Sequence, residues 1–94
     1  MRLSALEIKT ILSSVHVFDK EAIVYLFGSR SDDTRQGGDI DLLIESNLLT
    51  REDCNKIRWK IWESIGEQKI DIVLARDTDP AFLRIIQNHR ILLQ

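Results

Sequence analysis

Ninety-four residues, 44% hydrophobic and 30% charged, make a chain of globular composition with room for one small domain, 1–94, burying roughly two-thirds of its unfolded surface. A net charge of −2 supplies no basic field for non-specific nucleic-acid binding, and the lone Cys54 excludes a disulfide framework or a cysteine zinc site. His16 and His89 alone make no metal motif, and no apolar run approaches the ~20 residues of a membrane span.

Met1-Arg2 leads into SALEIKTIL, whose polar punctuation reads as helix rather than signal peptide; the expected setting is the cytoplasm. Ser4 with Glu7 forms a capping box, and Ile8, Ile11, Leu12 and Val15 share one helical face behind it. IVYLFG, Ile23 to Gly28, is short, apolar and rich in β-branched and aromatic residues, which predicts a buried strand. Ser29 to Gly38 is polar and turn-rich, hence a loop.

Asp39 to Glu45 predicts a second strand. Alternation sends Ile40, Leu42 and Ile44 one way and Asp39, Asp41 and Leu43 the other. Thr50 and Asp53 open a long helix with Cys54, Ile57, Ile61 and Ile65 on its inner face and Gly66 as its stop. KIDIVLA, Lys69 to Ala75, predicts a third strand, with Ile70, Ile72 and Leu74 on one face and Asp71 and Val73 on the other. Asp79-Pro80 begins a last helix carrying Phe82, Ile85 and Ile86, and Ile91 to Leu93 offers a short edge strand or a docking tail. The expected fold is α/β (α+β): a small mixed sheet flanked by helices in the order α-β-β-α-β-α.

The charges inside the apolar strands carry the chemistry. Asp39 and Asp41 leave the same face roughly 7 Å apart, and Asp71 stands in an equally apolar frame on another strand. If those strands are neighbours, three carboxylates meet, and each raises the others' pKa. A divalent cation relieves the conflict, and an all-oxygen donor set suits Mg²⁺ or Mn²⁺. Phosphoryl and nucleotidyl transfer use such an ion.

Gly28-Ser29, directly after a strand, lets backbone amides and a hydroxyl approach a phosphate, with Arg30 and Arg35 as further phosphate contacts. Gly37-Gly38 permits the sharp return that starts the Asp39 strand. No Gly-Lys-Ser/Thr follows, so this is not a Walker loop, nor is it a dinucleotide GxGxxG.

YLFGSR, GGDIDLLIE and KIDIVLA together resemble the minimal nucleotidyltransferase (MNT) domain, of the superfamily that includes DNA polymerase beta. The resemblance spans nearly the whole chain. It implies that Gly28 and Ser29, with Arg30 and Gly38, bind the nucleoside triphosphate. It also implies that Asp39 and Asp41 hold the metals, and that Asp71 is a third metal ligand or the base for the attacking hydroxyl. Stand-alone domains of this size resemble the antitoxin half of toxin–antitoxin pairs. That implies transfer of AMP from ATP to a tyrosine of a helical HEPN toxin, in a complex or oligomer without membrane or nucleic acid.

Two other functions are compatible with the residues. One is a nucleotide-binding module that neutralises a toxin by complex formation alone, for which the nine-residue loop Arg30 to Gly38, and Gly38 where many relatives carry serine, are the features. The other is a subunit of a transferase acting on a small molecule or RNA.

Other polar residues have simpler readings. Asp39 alone would be a strand cap, Asp41 alone an edge-strand charge, Asp32 and Asp33 a turn, and Lys69 a solvated strand start or a phosphate contact. Trp62 is expected in the core. Trp59, between Arg58 and Lys60, is expected to be partly exposed, as an interface anchor or lying flat on its own domain. Cys54 is expected to be buried, and His16 and His89 to sit at the surface or its boundary.

Overall fold

The computed structural model describes residues 3–28 and 39–94. Helix α1 is Ala5–His16, strand β1 Ile23–Phe27, strand β2 Ile40–Glu45, helix α2 Arg51–Ile65, strand β3 Ile70–Leu74, helix α3 Pro80–Gln87 and strand β4 Ile91–Leu92. A 3₁₀ turn, Ala75–Asp77, follows β3 and has no clear sequence signal.

Both long helices begin where their capping boxes place them. Ser4 accepts from the Glu7 amide at 3.1 Å while Glu7 accepts from the Ser4 amide at 2.9 Å. Thr50 and Asp53 repeat the exchange at 3.1 and 3.0 Å. Two otherwise orphaned N–H groups are satisfied at each end. Gly66 closes α2 with φ of 89°, a conformation that glycine adopts without a Cβ penalty.

The sheet order is β3-β2-β1-β4, with β2 antiparallel to β1, parallel to β3, and β4 antiparallel to β1. β2 is therefore interior, so Asp41 is not an edge-strand charge. The tail does add an edge strand, at Tyr25 and Leu26 of β1, and Leu93 N–H extends it to the Val24 carbonyl at 2.9 Å.

One sheet face carries the main core. Val24 and Leu26, Ile40, Leu42 and Ile44, and Ile70 and Leu74 join Ile11 and Val15 of α1 and Cys54, Ile57 and Ile61 of α2 in one cluster. The other face is more thinly covered. There Leu43 is fully buried, and Phe82 of α3 sets its ring edge-on to Phe27, centroids 6.2 Å apart. β1 is thus half-buried, not buried throughout: Ile23 is 42% exposed, and Tyr25 and Phe27 are only partly covered. Within α3 only Ile86 is buried. Ile85 is 64% exposed, because the short helix meets the sheet along one narrow side. Trp62 is half-buried, its Nε1–H donating to the Gln68 carbonyl at 2.7 Å, and the exposed Trp59 ring packs edge-on against it. His16 is half-buried and His89 exposed.

Two polar clamps hold the loops remote from the β2 start. Buried Asp19 accepts from Ser46 Oγ at 2.5 Å and from Glu21 N–H at 3.0 Å, tying the α1–β1 turn to the end of β2. Arg76 reaches back to the carbonyls of Ser46 and Leu49. Asp19→Ala leaves the Ser46 and Glu21 donors without that acceptor, and is expected to cost about 1–3 kcal/mol in urea denaturation.

Candidate active site

The parallel register sets Asp41 beside Asp71, with Ile40 opposite Ile70 and Leu42 opposite Ile72. Because side chains alternate, every core-facing isoleucine or leucine in these strands is followed by a residue on the opposite face. The segments Asp39-Ile40-Asp41 and Lys69-Ile70-Asp71 therefore present four charged side chains on that face, while the isoleucines anchor both strands in the core. Ile40 N–H donates to the Lys69 carbonyl at 3.1 Å, which fixes the first step of the pairing.

β3 is an edge strand, and α2 side chains secure its start. Arg58 Nε–H donates to the Ile70 carbonyl at 2.8 Å, and Trp62 holds Gln68. Arg58 also bonds Asn55 Oδ1 at 2.8 Å, so its guanidinium is braced from its own helix. The residues on either side of Lys69 are thus fixed by α2, and Asp71 follows one residue after Ile70.

The carboxylates feel one another. Partial burial raises the Asp41 pKa above the ordinary 3.8, the charges of Asp71 and Asp39 raise it further, and a hydrogen bond with the Asp71 carboxyl adds to them. Lys69 acts in the opposite direction. Its Nζ lies 3.4 Å from Asp39 Oδ2, Lys69 being exposed and Asp39 half-buried. Among the described residues no three His, Cys, Asp or Glu side chains are grouped to hold an ion. What the fold presents is a carboxyl pair, Asp41 and Asp71, with Asp39 turned to an ammonium. The hydrogen bond between the Asp41 and Asp71 carboxyls and the Lys69 ammonium beside Asp39 offset part of this charge, and the donors are hard oxygens. The set fits Mg²⁺ or Mn²⁺.

Gly28 closes the site from β1. It has φ of 76°, and a Cβ built on it would overlap the Asp41 carboxylate, with Cγ only 3.2 Å away. Phe27 is registered opposite Asp41 on the same sheet face. Further along that face Arg90 stacks over Tyr25, Cζ 4.0 Å from the ring centre, and its Nη1 lies 3.8 Å from Glu45.

Of the residues expected at the site, Asp41, Asp71 and Gly28 come together, while Asp39 lies on the same face but is paired with Lys69. Ser29, Arg30, Asp32, Asp33, Arg35, Gly37 and Gly38 lie outside the described residues. The Lys69–Asp39 pair was not anticipated from sequence, although the two-residue spacing of Lys69 and Asp71 repeats that of Asp39 and Asp41 and is the signal that points to it.

The raised pKa fixes the sign of a pH effect. Folded Asp41 holds its proton more tightly than the unfolded chain does, so stability falls as pH rises from about the ordinary value of 3.8 through the raised one. Without divalent ions, the stability difference between Asp41→Asn and the wild type is expected to widen in favour of the variant across that window. Urea midpoints measured at closely spaced pH values in EDTA check this. A difference that stays flat across the window contradicts it.

The family profile described as "Polymerase beta, Nucleotidyltransferase" matches residues 7–94. No curated protein matches in sequence. Among solved structures, the chain resembles one from a tri-AMPylated Shewanella oneidensis HEPN toxin in complex with MNT antitoxin. That match has 19% identity and TM-score 0.73, and covers 95% of this chain and 70% of that one. It also resembles a chain from a toxin–antitoxin with AMP-PNP, at 19% identity and TM-score 0.77, covering 93% and 72%. A third, from a MntA-HpeT toxin–antitoxin mutant with two aspartates changed to glutamate, has 17% identity and TM-score 0.77, again covering 93% and 72%. At these identities the likeness establishes the fold.

Proposed function

This chain belongs to the polymerase beta nucleotidyltransferase family, and from that premise we propose that it transfers AMP from ATP to a tyrosine hydroxyl of a partner HEPN toxin, acting as its antitoxin. The observation that carries the reading is the in-register pair of Asp41 and Asp71, with Asp39 on the same face and Gly28 pressed against Asp41. The AMPylated toxin and AMP-PNP complexes among its structural relatives support the choice of nucleotide and acceptor.

Asp39, Asp41 and Asp71 are the residues that would hold Mg²⁺ or Mn²⁺. When bound, the ion neutralises phosphate charge and stabilises the attacking and leaving oxygens. Gly28 lets a phosphate oxygen approach the backbone, and Ser29, Arg30 and Gly38 are assigned to the rest of the triphosphate cradle. The acceptor oxygen attacks the α-phosphorus, a P–O bond forms, and the bond to pyrophosphate breaks. Asp71, exposed on an edge strand, is reachable by an acceptor on another chain. It takes the hydroxyl proton or serves as a further ligand.

Incubating chain and toxin with ATP and Mg²⁺, then mapping toxin peptides by mass spectrometry, tests this reading. AMP on a tyrosine is the expected result. An unmodified toxin, or AMP on a different residue type, overturns it.

A further inference from the structure

We infer that Lys69 is the built-in counter-cation of this site: it occupies Asp39 in the nucleotide-free protein and weakens divalent-ion binding until phosphates arrive. The inference rests on the carboxylates being the metal site. Asp39 and Lys69 immediately precede the registered pair Ile40–Ile70, and Asp41 and Asp71 are the next pair along. The ladder bond to the Lys69 carbonyl and the Arg58 bond to the next one fix its backbone. From that backbone its Nζ reaches to 3.4 Å from Asp39 Oδ2.

With all four groups ionised, three carboxylates and one ammonium leave two net negative charges, which one divalent ion cancels. A second ion would enter a site already neutral, so it needs the negative charge that a triphosphate brings. The Lys69–Asp39 pair is solvent-exposed, and such pairs are weak enough for a dication to displace. Once displaced, the ammonium would be released to pair with phosphate oxygens. Lys69 is thereby a positioning residue that couples metal loading to nucleotide binding.

Mn²⁺ titrations followed by the EPR signal of the free ion test this in the full chain. Without nucleotide, Lys69→Met and Lys69→Gln are expected to bind Mn²⁺ about tenfold more tightly than wild type, since a unit charge a few ångströms away is only partly screened. Lys69→Arg, which keeps the charge, is expected within about twofold of wild type. With a non-hydrolysable ATP analogue the tenfold gap is expected to close to about threefold or less, because phosphates then compete for the ammonium. Wild-type affinity in Lys69→Met and Lys69→Gln without nucleotide overturns the inference, as does a Lys69→Arg that tightens equally. If wild type binds Mn²⁺ and Asp41→Asn does not, while Lys69→Met matches wild type, only the inference fails. If no variant binds Mn²⁺ saturably, the metal-site reading fails with it.

Discussion

Replacing Asp39 and Asp41 together by asparagine is expected to lower AMP transfer at least about a thousandfold while the chain stays folded. Ion-mediated charge stabilisation at a transferring phosphate is worth several kcal/mol, and about 4 kcal/mol corresponds to that factor. Asparagine keeps the shape of each side chain but removes the charge that attracts the ion. The fold is expected to tolerate the change, because neither residue is part of the buried cluster that joins α1 and α2 to the sheet. Removing Asp41 also relieves its burial and its repulsion by Asp71 and Asp39. Loss of function would therefore accompany unchanged or improved stability, the opposite of what a core mutation gives. The checks are the initial rate of label transfer from ATP and the urea midpoint of the same preparation. Transfer by the double variant at a rate near wild type would mean that the carboxylates do not carry the chemistry. Toxin neutralisation that survives without transfer would assign inhibition to complex formation.

Gly28→Ala is the second large effect. At φ of 76° an alanine is strained, and its Cβ would occupy the space of the Asp41 carboxylate. Asp41 must turn away or β1 and β2 must separate at their paired ends, where Phe27 faces Asp41. The expected outcome is a stability loss of about 1–3 kcal/mol and a fall in transfer rate of about a hundredfold, the scale associated with displacing a reacting group by about an ångström. Gly66→Ala supplies the control. Its φ is 89°, yet a Cβ there meets nothing within 4 Å. It is expected to lose stability through backbone strain while its folded fraction transfers at the wild-type rate. Equal losses of activity in both variants would place the Gly28 effect in global stability and not in the site.

Much of this molecule was legible in local sequence, for identifiable reasons. A capping box is a four-residue device, so Ser4 with Glu7 and Thr50 with Asp53 located helix starts without any tertiary information. Alternation separated Asp41 and Asp71 from their isoleucine neighbours because both strands bury one face in the main core. Adjacency of the two strands is the condition for these carboxylates to meet, and the parallel register meets it for Asp41 and Asp71. What stayed hidden depends on distant partners. Nothing local marks Asp19 as the acceptor for Ser46, or Arg76 as the clamp on the β2–α2 connection. Ile85 is apolar yet exposed, because a two-turn helix that buries Ile86 and sets Phe82 against Phe27 has no second surface to bury it against. Lys69 read as a solvated strand start because its partner, Asp39, lies thirty positions earlier and is reached only through the β2–β3 pairing.

The most direct test of the proposed metal site is a crystal structure of the chain grown with Mn²⁺ and a non-hydrolysable ATP analogue, with anomalous scattering locating the metal. The expected result is an anomalous peak among Asp39, Asp41 and Asp71, with the triphosphate passing Gly28. A bound nucleotide whose manganese lies away from these three carboxylates would contradict the account.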